Sequence, residues 1–262
     1  MLSSLNLENK IVVVTGGYGH LGSALVEGFL QMNAHVVVAG RSQEKFDASF
    51  AKSNHSKIEY VKIDVLNSDA IIEAVNKIIG KHKRIDVWVN NAHAARGKGQ
   101  YTMADDDWAY TMEGVLGSVH KCLKAVAPIM KNQKYGKIIN VSSMYGIVSP
   151  DFRLYEDEGC EKYLNPPHYG AAKAGIIQLT KYFAVLLGKY NINVNAITPG
   201  PFPKKMIQDE NPVFIERLKS KNPMLSIGKP EDIQGIAVLL SSDASRFITG
   251  QNFIIDGGWT IW

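Results

Sequence analysis

Cysteine is almost missing from this chain, with Cys122 and Cys160 the two in 262 residues. A scaffold stapled by several disulfides is excluded, and a reducing compartment, the cytoplasm, is the expectation, with a single disulfide left open. Long apolar runs are missing as well. Those at residues 11–14 and 236–240 fall far short of the roughly 20 residues of a membrane-spanning helix, so no membrane partner is expected. Charge of one sign is never concentrated: the net charge is +4 and basic residues are scattered. Nucleic-acid binding is therefore not expected, and a weak preference for anionic ligands is all the balance supports. The first ten residues, MLSSLNLENK, hold no apolar stretch of signal-peptide length, so secretion is not expected. No metal site is expected. No linker, repeat or low-complexity tract cuts the chain, and residues 1–262 are expected to form a single domain.

What the chain has in abundance is short β-branched runs. KIVVVTGG, AHVVVAGR, IEYVKIDV, IDVWVNNA, GKIINVSS, INVNAITPG and QNFIIDGG recur along it. They read apolar without alternation, as strands buried on both faces do. Between them lie stretches of helical spacing at about 20–32, 43–53, 67–82, 104–131, 167–188 and 230–241. Seven strands alternating with helices predict parallel βαβ units with right-handed crossovers, hence an α/β fold with a doubly wound parallel sheet. Ligands of such sheets bind at the carboxyl ends of the strands. The unusual residues gather there, at 16–22, 90–98, 142–165 and 199–205.

The first of these loops, TGGYGHLG at residues 15–22, follows a strand and opens a helix. Glycines at that place permit a tight turn and close approach of a diphosphate to unpaired helix N–H groups. A dinucleotide is the expected ligand; a turn that serves only packing is the alternative. At the end of the second strand an acid would accept bonds from a ribose 2′-hydroxyl, but this chain has Gly40, Arg41 and Ser42. The forked cation of Arg41, with Ser42 as an added donor, suits a 2′-phosphate, so NADP(H) is favoured over NAD(H). Arg41 stacked on adenine or lying in solvent is the other reading. Asp64 can accept a hydrogen bond from an adenine amino group, or simply close a turn.

YGAAK sets Tyr169 and Lys173 four apart, on one helical face. A free phenol titrates near pH 10 and is a poor acid-base group at neutral pH. A nearby ammonium and the positive nicotinamide of an oxidised cofactor would both favour phenolate and draw it toward working range.

With these motifs the chain resembles the short-chain dehydrogenase/reductases over essentially its whole length, through TGGYGHLG, NNAH, NVSS, Tyr169 to Lys173, NAITPG and ITGQNFIIDGG. The resemblance implies a Rossmann-type domain that transfers hydride between NAD(P)(H) and a carbonyl or alcohol. It implies Tyr169 as general acid/base, Ser143 as hydrogen-bond partner of the substrate oxygen, and Lys173 as ligand of the nicotinamide ribose. It also implies a homo-oligomer, a tetramer or a dimer. The expected cofactor contacts are Gly16, Tyr18, His20, Leu21, Gly22, Arg41, Ser42, Asp64, Val65, Asn91, Ala92, Tyr169, Lys173, Pro199, Gly200 and Phe202.

Four positions depart from the family pattern. His20 and His93 stand where glycines are usual, as a phosphate ligand or packing group and as a substrate ligand, relay or spacer respectively. Val115 stands where a proton-relay asparagine is usual, and PFPKK after residue 200 lacks the usual hydroxyl residue. About a dozen extra residues also separate Ser143 from Tyr169, an insertion at about 149–167. The insertion has a net charge of −3 from Asp151, Glu156, Asp157, Glu158 and Glu161 against Arg153 and Lys162. Its Asp151, Phe152, Arg153, Tyr155 and Tyr163, with His93 and Arg96, are the expected substrate contacts. Aromatics beside acids and an arginine suit a sugar ring, while a solvated excursion or subunit contact is the alternative. Lys98, Lys204 and Lys205 could add positive charge for an anionic substrate group. The insertion and the tail IDGGWTIW also resemble the flagellin-modification and surface-sugar oxidoreductases of the family, which suggests a sugar of bacterial surface glycans. Two rivals stay open: an epimerase or dehydratase on the same fold, and a dinucleotide-binding regulator without catalysis.

Overall fold

The computed structural model describes residues 5–51, 56–156 and 159–262. Asp157 and Glu158 of the insertion, and the end of the helix expected to reach residue 53, lie outside the described residues. The valine-rich runs form one seven-stranded parallel sheet in the order β3-β2-β1-β4-β5-β6-β7. Its strands are β1 (Ile11–Thr15), β2 (His35–Gly40), β3 (Ile58–Lys62), β4 (Val87–Asn90), β5 (Gly136–Val141), β6 (Ile192–Pro199) and β7 (Asn252–Ile255). Successive side chains go to opposite faces, and both faces are covered. Val12, Val14, Val36 and Val38 pack with Leu25 and Phe29 of α1 (His20–Gln31) and with Ala237 of α9 (Gln234–Ser241). Val13, Val37, Trp88 and Ile138 pack on the other face, against α3 (Ser68–His82), α5 (Ser118–Gln133) and α6 (Pro167–Gly188).

The helix expected over 104–131 is interrupted. It runs as α4 (Asp105–Met112), a π-helical turn at Glu113–Gly117, then α5. The turn seats Gly114 against the strand-end loop: the Ala94 amide donates to Gly114 O at 3.1 Å, and a Cβ on Gly114 would stand 2.1 Å from Ala94 O. Val115, in the same turn, is buried in the core. The 230–241 segment likewise begins as a 3-10 turn, Pro230–Ile233, before α9. The short helices α2 (Gln43–Phe50), α7 (Lys205–Glu210) and α8 (Pro212–Ser220) complete the α-helices among the described residues. No described helix is long and apolar enough to cross a membrane, and Cys122 and Cys160 are free thiols.

A chain of buried polar side chains runs through the sheet into α6. Trp88 Nε1 donates to Asn90 Oδ1 (2.8 Å), Asn90 Nδ2 to Asn140 Oδ1 (2.8 Å), Asn140 Nδ2 to Thr180 Oγ1 (2.9 Å), and Thr180 Oγ1 to Ile176 O (2.8 Å). Buried polar groups persist when fully paired and are costly when one partner is removed. Replacing Asn140 with leucine orphans the Asn90 amide and is expected to cost about 1–3 kcal/mol of stability, measured by urea unfolding.

Candidate active site

A cavity of about 490 Å³ opens at the carboxyl ends of the strands and is walled by residues of all four loops that the sequence singles out. Gly16 takes a left-handed φ of 64° to start the first loop. A Cβ on Gly22 would meet Gly16 O at 2.2 Å, so the loop closes only on glycine. Thr15 Oγ1 donates to Val89 O and receives the amides of Asn91 and Ala92, each at 3.0 Å. Asn91 Nδ2 returns to the carbonyls of Thr15 and Gly16 at 3.0 and 3.1 Å. Asn91 thus shapes the loop from behind as well as lining the cavity.

The loop delivers α1 with Gly19 at its N-cap, no side-chain cap and no acid in its first turn. Its leading N–H groups and the positive end of its dipole are left for an anion at the cavity wall. These residues fit a dinucleotide diphosphate. His20 Nε2 bonds Phe202 O at 3.0 Å, bridging the glycine loop to the loop after β6. Burial lowers this imidazole below its ordinary value, against a raising hydrogen bond to Phe202. Leu21, Pro199, Gly200 and Phe202 complete this side of the cavity.

At the end of β2 the side chain of Tyr18 lies over Gly40, where a Cβ would come within 2.4 Å of its ring. Its hydroxyl accepts the amides of Arg41 (2.8 Å) and Ser42 (3.1 Å). Arg41 lines the cavity with an exposed side chain. Ser42 stands off the cavity wall, because its hydroxyl accepts from Lys45 N at 3.2 Å as the N-cap of α2. Asp64 and Val65 also line the cavity. The Asp64 carboxylate also accepts Leu66 N at 3.0 Å, so the turn-closing alternative holds beside its place in the cavity.

The far wall is built where α6 crosses the end of β5. Lys173, 3% exposed, donates from Nζ to Val141 O at 2.8 Å, and Ser142 Oγ donates to Lys173 O at 2.8 Å. Ser142 is therefore a fastener. Ser143 faces the cavity beside Tyr169, its Oγ also accepting Tyr145 N at 3.2 Å. Lys173 Nζ lies 5.7 Å from the centroid of the Tyr169 ring. Burial raises the Tyr169 phenol above its ordinary value, and hydrogen bonding from Ser143 opposes that rise. Burial pushes Lys173 down to about 7. The expected lowering of Tyr169 by its lysine is thus not a property of the chain alone: a desolvated lysine loses much of the charge that would act on the phenol.

His93 also lines this wall, its ring set edge-on to Tyr169 with centroids 6.3 Å apart. Surrounding protein, then the Lys173 charge, lower the imidazole, so it is neutral at physiological pH. The other expected substrate contacts lie elsewhere. Arg96 turns to α4, pairing with Asp107 at 2.7 Å and lying over the Tyr110 ring. Asp151, Phe152 and Arg153 line a separate groove with Lys221 and Trp262; Asp151 pairs with both Arg153 and Lys221. Tyr155 is buried against Phe214 with its hydroxyl on that of Tyr145, and Tyr163 stacks on Phe214 and donates to Glu210 at 3.2 Å. For the tyrosines the physical reason is apolar cover: Tyr155, Tyr163 and Leu154 pack on α8 together with Trp259 of the tail. Of the flanking lysines, Lys204 reaches the cavity, whereas Lys205 pairs with Asp209. Wall residues that sequence reasoning missed are Gly19, Ala39, Gly40, Ile63, Leu66, Ala94 and Val141. All sit at or beside strand ends, and that position was the available signal.

The fold and the cavity together define a dinucleotide-binding α/β protein. The sequence model of the family described as enoyl-(acyl carrier protein) reductase matches residues 19–260. A 3-oxoacyl-[acyl-carrier-protein] reductase FabG of Thermotoga maritima is 34% identical, over 98% of this chain and 100% of its own. A 7alpha-hydroxysteroid dehydrogenase of Bacteroides fragilis is 31% identical over 97% and 95%, and post-translational flagellin modification protein A of Campylobacter coli 28% over 97% and 99%. Among solved structures, a short chain dehydrogenase of Leptospira borgpetersenii with bound NAD+ is 31% identical (TM-score 0.86, 99% and 96% covered). An RhlG/NADP complex of Pseudomonas aeruginosa is 26% identical (TM-score 0.86, 99% of both chains). The chain belongs to the short-chain dehydrogenase/reductase family.

A lysine held at about 7 in the folded chain, against 10.5 in the free side chain, binds fewer protons folded than unfolded across that interval. Its penalty on stability is therefore full below about pH 7 and fades as the pH rises toward 10.5. Lys173→Met is expected to be more stable than wild type at pH 6–7, with the advantage shrinking as the pH rises above about 7. Thermal unfolding of both proteins across that range measures it.

Proposed function

We propose that this chain is an NADP(H)-preferring oxidoreductase that interconverts a ketone and a secondary alcohol, with Tyr169 as general acid/base. The observation that carries the reading is the convergence of Ser143, Tyr169 and Lys173 on the cavity into which the uncapped end of α1 points. A bound nicotinamide supplies or accepts the hydride and, when oxidised, adds positive charge beside the phenol. In the reducing direction the Tyr169 hydroxyl gives its proton to the carbonyl oxygen as that oxygen becomes alcohol. Ser143 holds the same oxygen by a hydrogen bond, and the Lys173 ammonium binds ribose hydroxyls and shares the proton load of Tyr169. With Val115 in the relay position, protons return to Tyr169 by a route other than a side-chain amide, and neutral His93 at the ring edge is placed for that work or for a substrate hydroxyl.

Arg41 and Lys204 are the cations on the cavity wall that support a 2′-phosphate or another anionic group. A sugar-derived substrate is the finer part of the reading. Its support is the likeness to a flagellin modification protein; the acyl and steroid names of the other relatives make apolar ketones its competitors. We further read the enzyme as a cytoplasmic homo-oligomer, since α6 turns Tyr182 and Val185 outward at 63% and 85% exposure. A panel of keto sugars, 3-oxoacyl thioesters and oxosteroids, followed by NADPH absorbance, tests the substrate class. Tyr169→Phe is expected to lower kcat by about 10²–10⁴-fold while NADPH affinity, read by fluorescence, changes little. Arg41→Ala is expected to weaken NADPH about tenfold or more and to leave NADH unchanged, as loss of a charged phosphate contact does. Unchanged turnover in the tyrosine variant overturns the enzyme reading.

A further inference from the structure

The opposite end of the sheet holds a second cluster of chemistry-bearing side chains. His35 opens β2, Glu59 is the second residue of β3, and His82 is the last of α3. Glu59 pairs in register with Val37. Residues two apart on a strand share a face, so His35 and Glu59 both turn toward the side that α3 covers. Their side chains converge there with that of His82. One donor atom from each of the three lies within 4.8 Å of the others, and the two imidazole centroids are 4.6 Å apart.

The carboxylate is already divided between roles. Lys81 Nζ holds Glu59 Oε2, which leaves Oε1 facing the two rings. His82 Nε2 bonds that oxygen, and His35 Nε2 stands 3.5 Å from it. The His35 nitrogen is shielded from solvent and has no hydrogen-bond partner, an unusual state for a buried polar atom. The side chains of His35, Glu59 and His82 are 27%, 19% and 10% exposed, so the cluster is enclosed yet reachable from solvent.

We propose that His35, Glu59 and His82 bind a divalent first-row transition-metal ion, with zinc the best match. Two imidazoles and one carboxylate are a recurrent three-residue donor set for zinc, with water as fourth ligand. Tetrahedral coordination needs donors about 3.3 Å apart: the hydrogen-bonded His82–Glu59 pair opens to admit the ion, and His35, 3.5 Å from the carboxylate, moves little. The ion takes the place of the His82–Glu59 hydrogen bond and satisfies the unpartnered His35 nitrogen. Lys81 then serves as the outer partner that orients the carboxylate. The last turn of α3 contributes the negative end of its dipole, which favours a cation. Such an ion would clip β2, β3 and α3 together, at the end of the sheet remote from the cavity. It departs from the expectation that the chain holds no metal site.

Equilibrium dialysis of the tag-free protein against Zn²⁺, with Co²⁺ as a spectroscopic probe, tests the assignment. Wild type is expected to bind about one Zn²⁺ per chain, to melt higher with it, and to give the intense visible bands of tetrahedral Co²⁺. The His35→Ala/His82→Ala double variant is expected to bind at least tenfold more weakly. Glu59→Gln keeps the shape of the cluster and is expected to weaken binding about tenfold; circular dichroism verifies that each variant is folded. Equal zinc uptake by wild type and the double variant, or by wild type and Glu59→Gln if the double variant does not fold, overturns the proposal.

Discussion

Everything at the active end of this protein depends on how α6 is fastened to the end of β5. Two hydrogen bonds do it: Lys173 Nζ to Val141 O and Ser142 Oγ to Lys173 O, both at 2.8 Å and both out of water. Further down the helix the Asn90–Asn140–Thr180 chain repeats the attachment through the middle of the sheet. The fastening costs stability, because it strips an ammonium of solvent and pushes Lys173 down to about 7. What it gives in return is position. Tyr169, one turn before Lys173, is held over the cavity next to Ser143, in surroundings that raise rather than lower its phenol. A buried phenol of this kind is a proton reservoir that waits for a positive charge to arrive.

The fold was legible because burial on both faces writes itself as near-continuous valine and isoleucine in the central strands; all seven runs are strands, with the edge strands β3 and β7 only half-buried. The glycine loop was legible because strand, glycines and helix succeed each other within a dozen residues. Less could be read where a side chain had two partners to choose from. Arg96 looked free in sequence, but Asp107 and Tyr110 on α4 claim it. Tyr155 and Tyr163 looked like a sugar platform, yet Phe214 of α8 covers them, and α8 itself is a proline-started helix of 9 residues, too short for its spacing to stand out. Tyr18 was expected at the cofactor, but nothing in the sequence could show that its hydroxyl would take the amides of Arg41 and Ser42. The break in the helix at Glu113–Gly117 was equally hidden, since a π-helical turn preserves the apolar count and alters only the phase.

The insertion has consequently changed meaning. It is a packed buttress, joining Leu154 and Tyr155 to Phe214, Leu218 and Trp259 and fixed at its start by Asp151 to Lys221. Through the contact between the Tyr155 and Tyr145 hydroxyls it reaches within two residues of Ser143, so it shapes the site from behind. Departures from the family pattern fall in the same register. His20 closes the glycine loop onto Phe202 at the cavity wall, Val115 fills core, and His93 lines the cavity beside Tyr169.

On the proposed reading, Tyr169 is kept protonated by burial and becomes a competent base only under the positive charge of an oxidised cofactor. Phenolate absorbance followed against pH, as the difference between wild type and Tyr169→Phe with and without NADP+, measures this directly. The account predicts that the Tyr169 transition lies above that of free tyrosine in the chain alone and moves to lower pH when NADP+ binds. A transition that NADP+ leaves in place would contradict it.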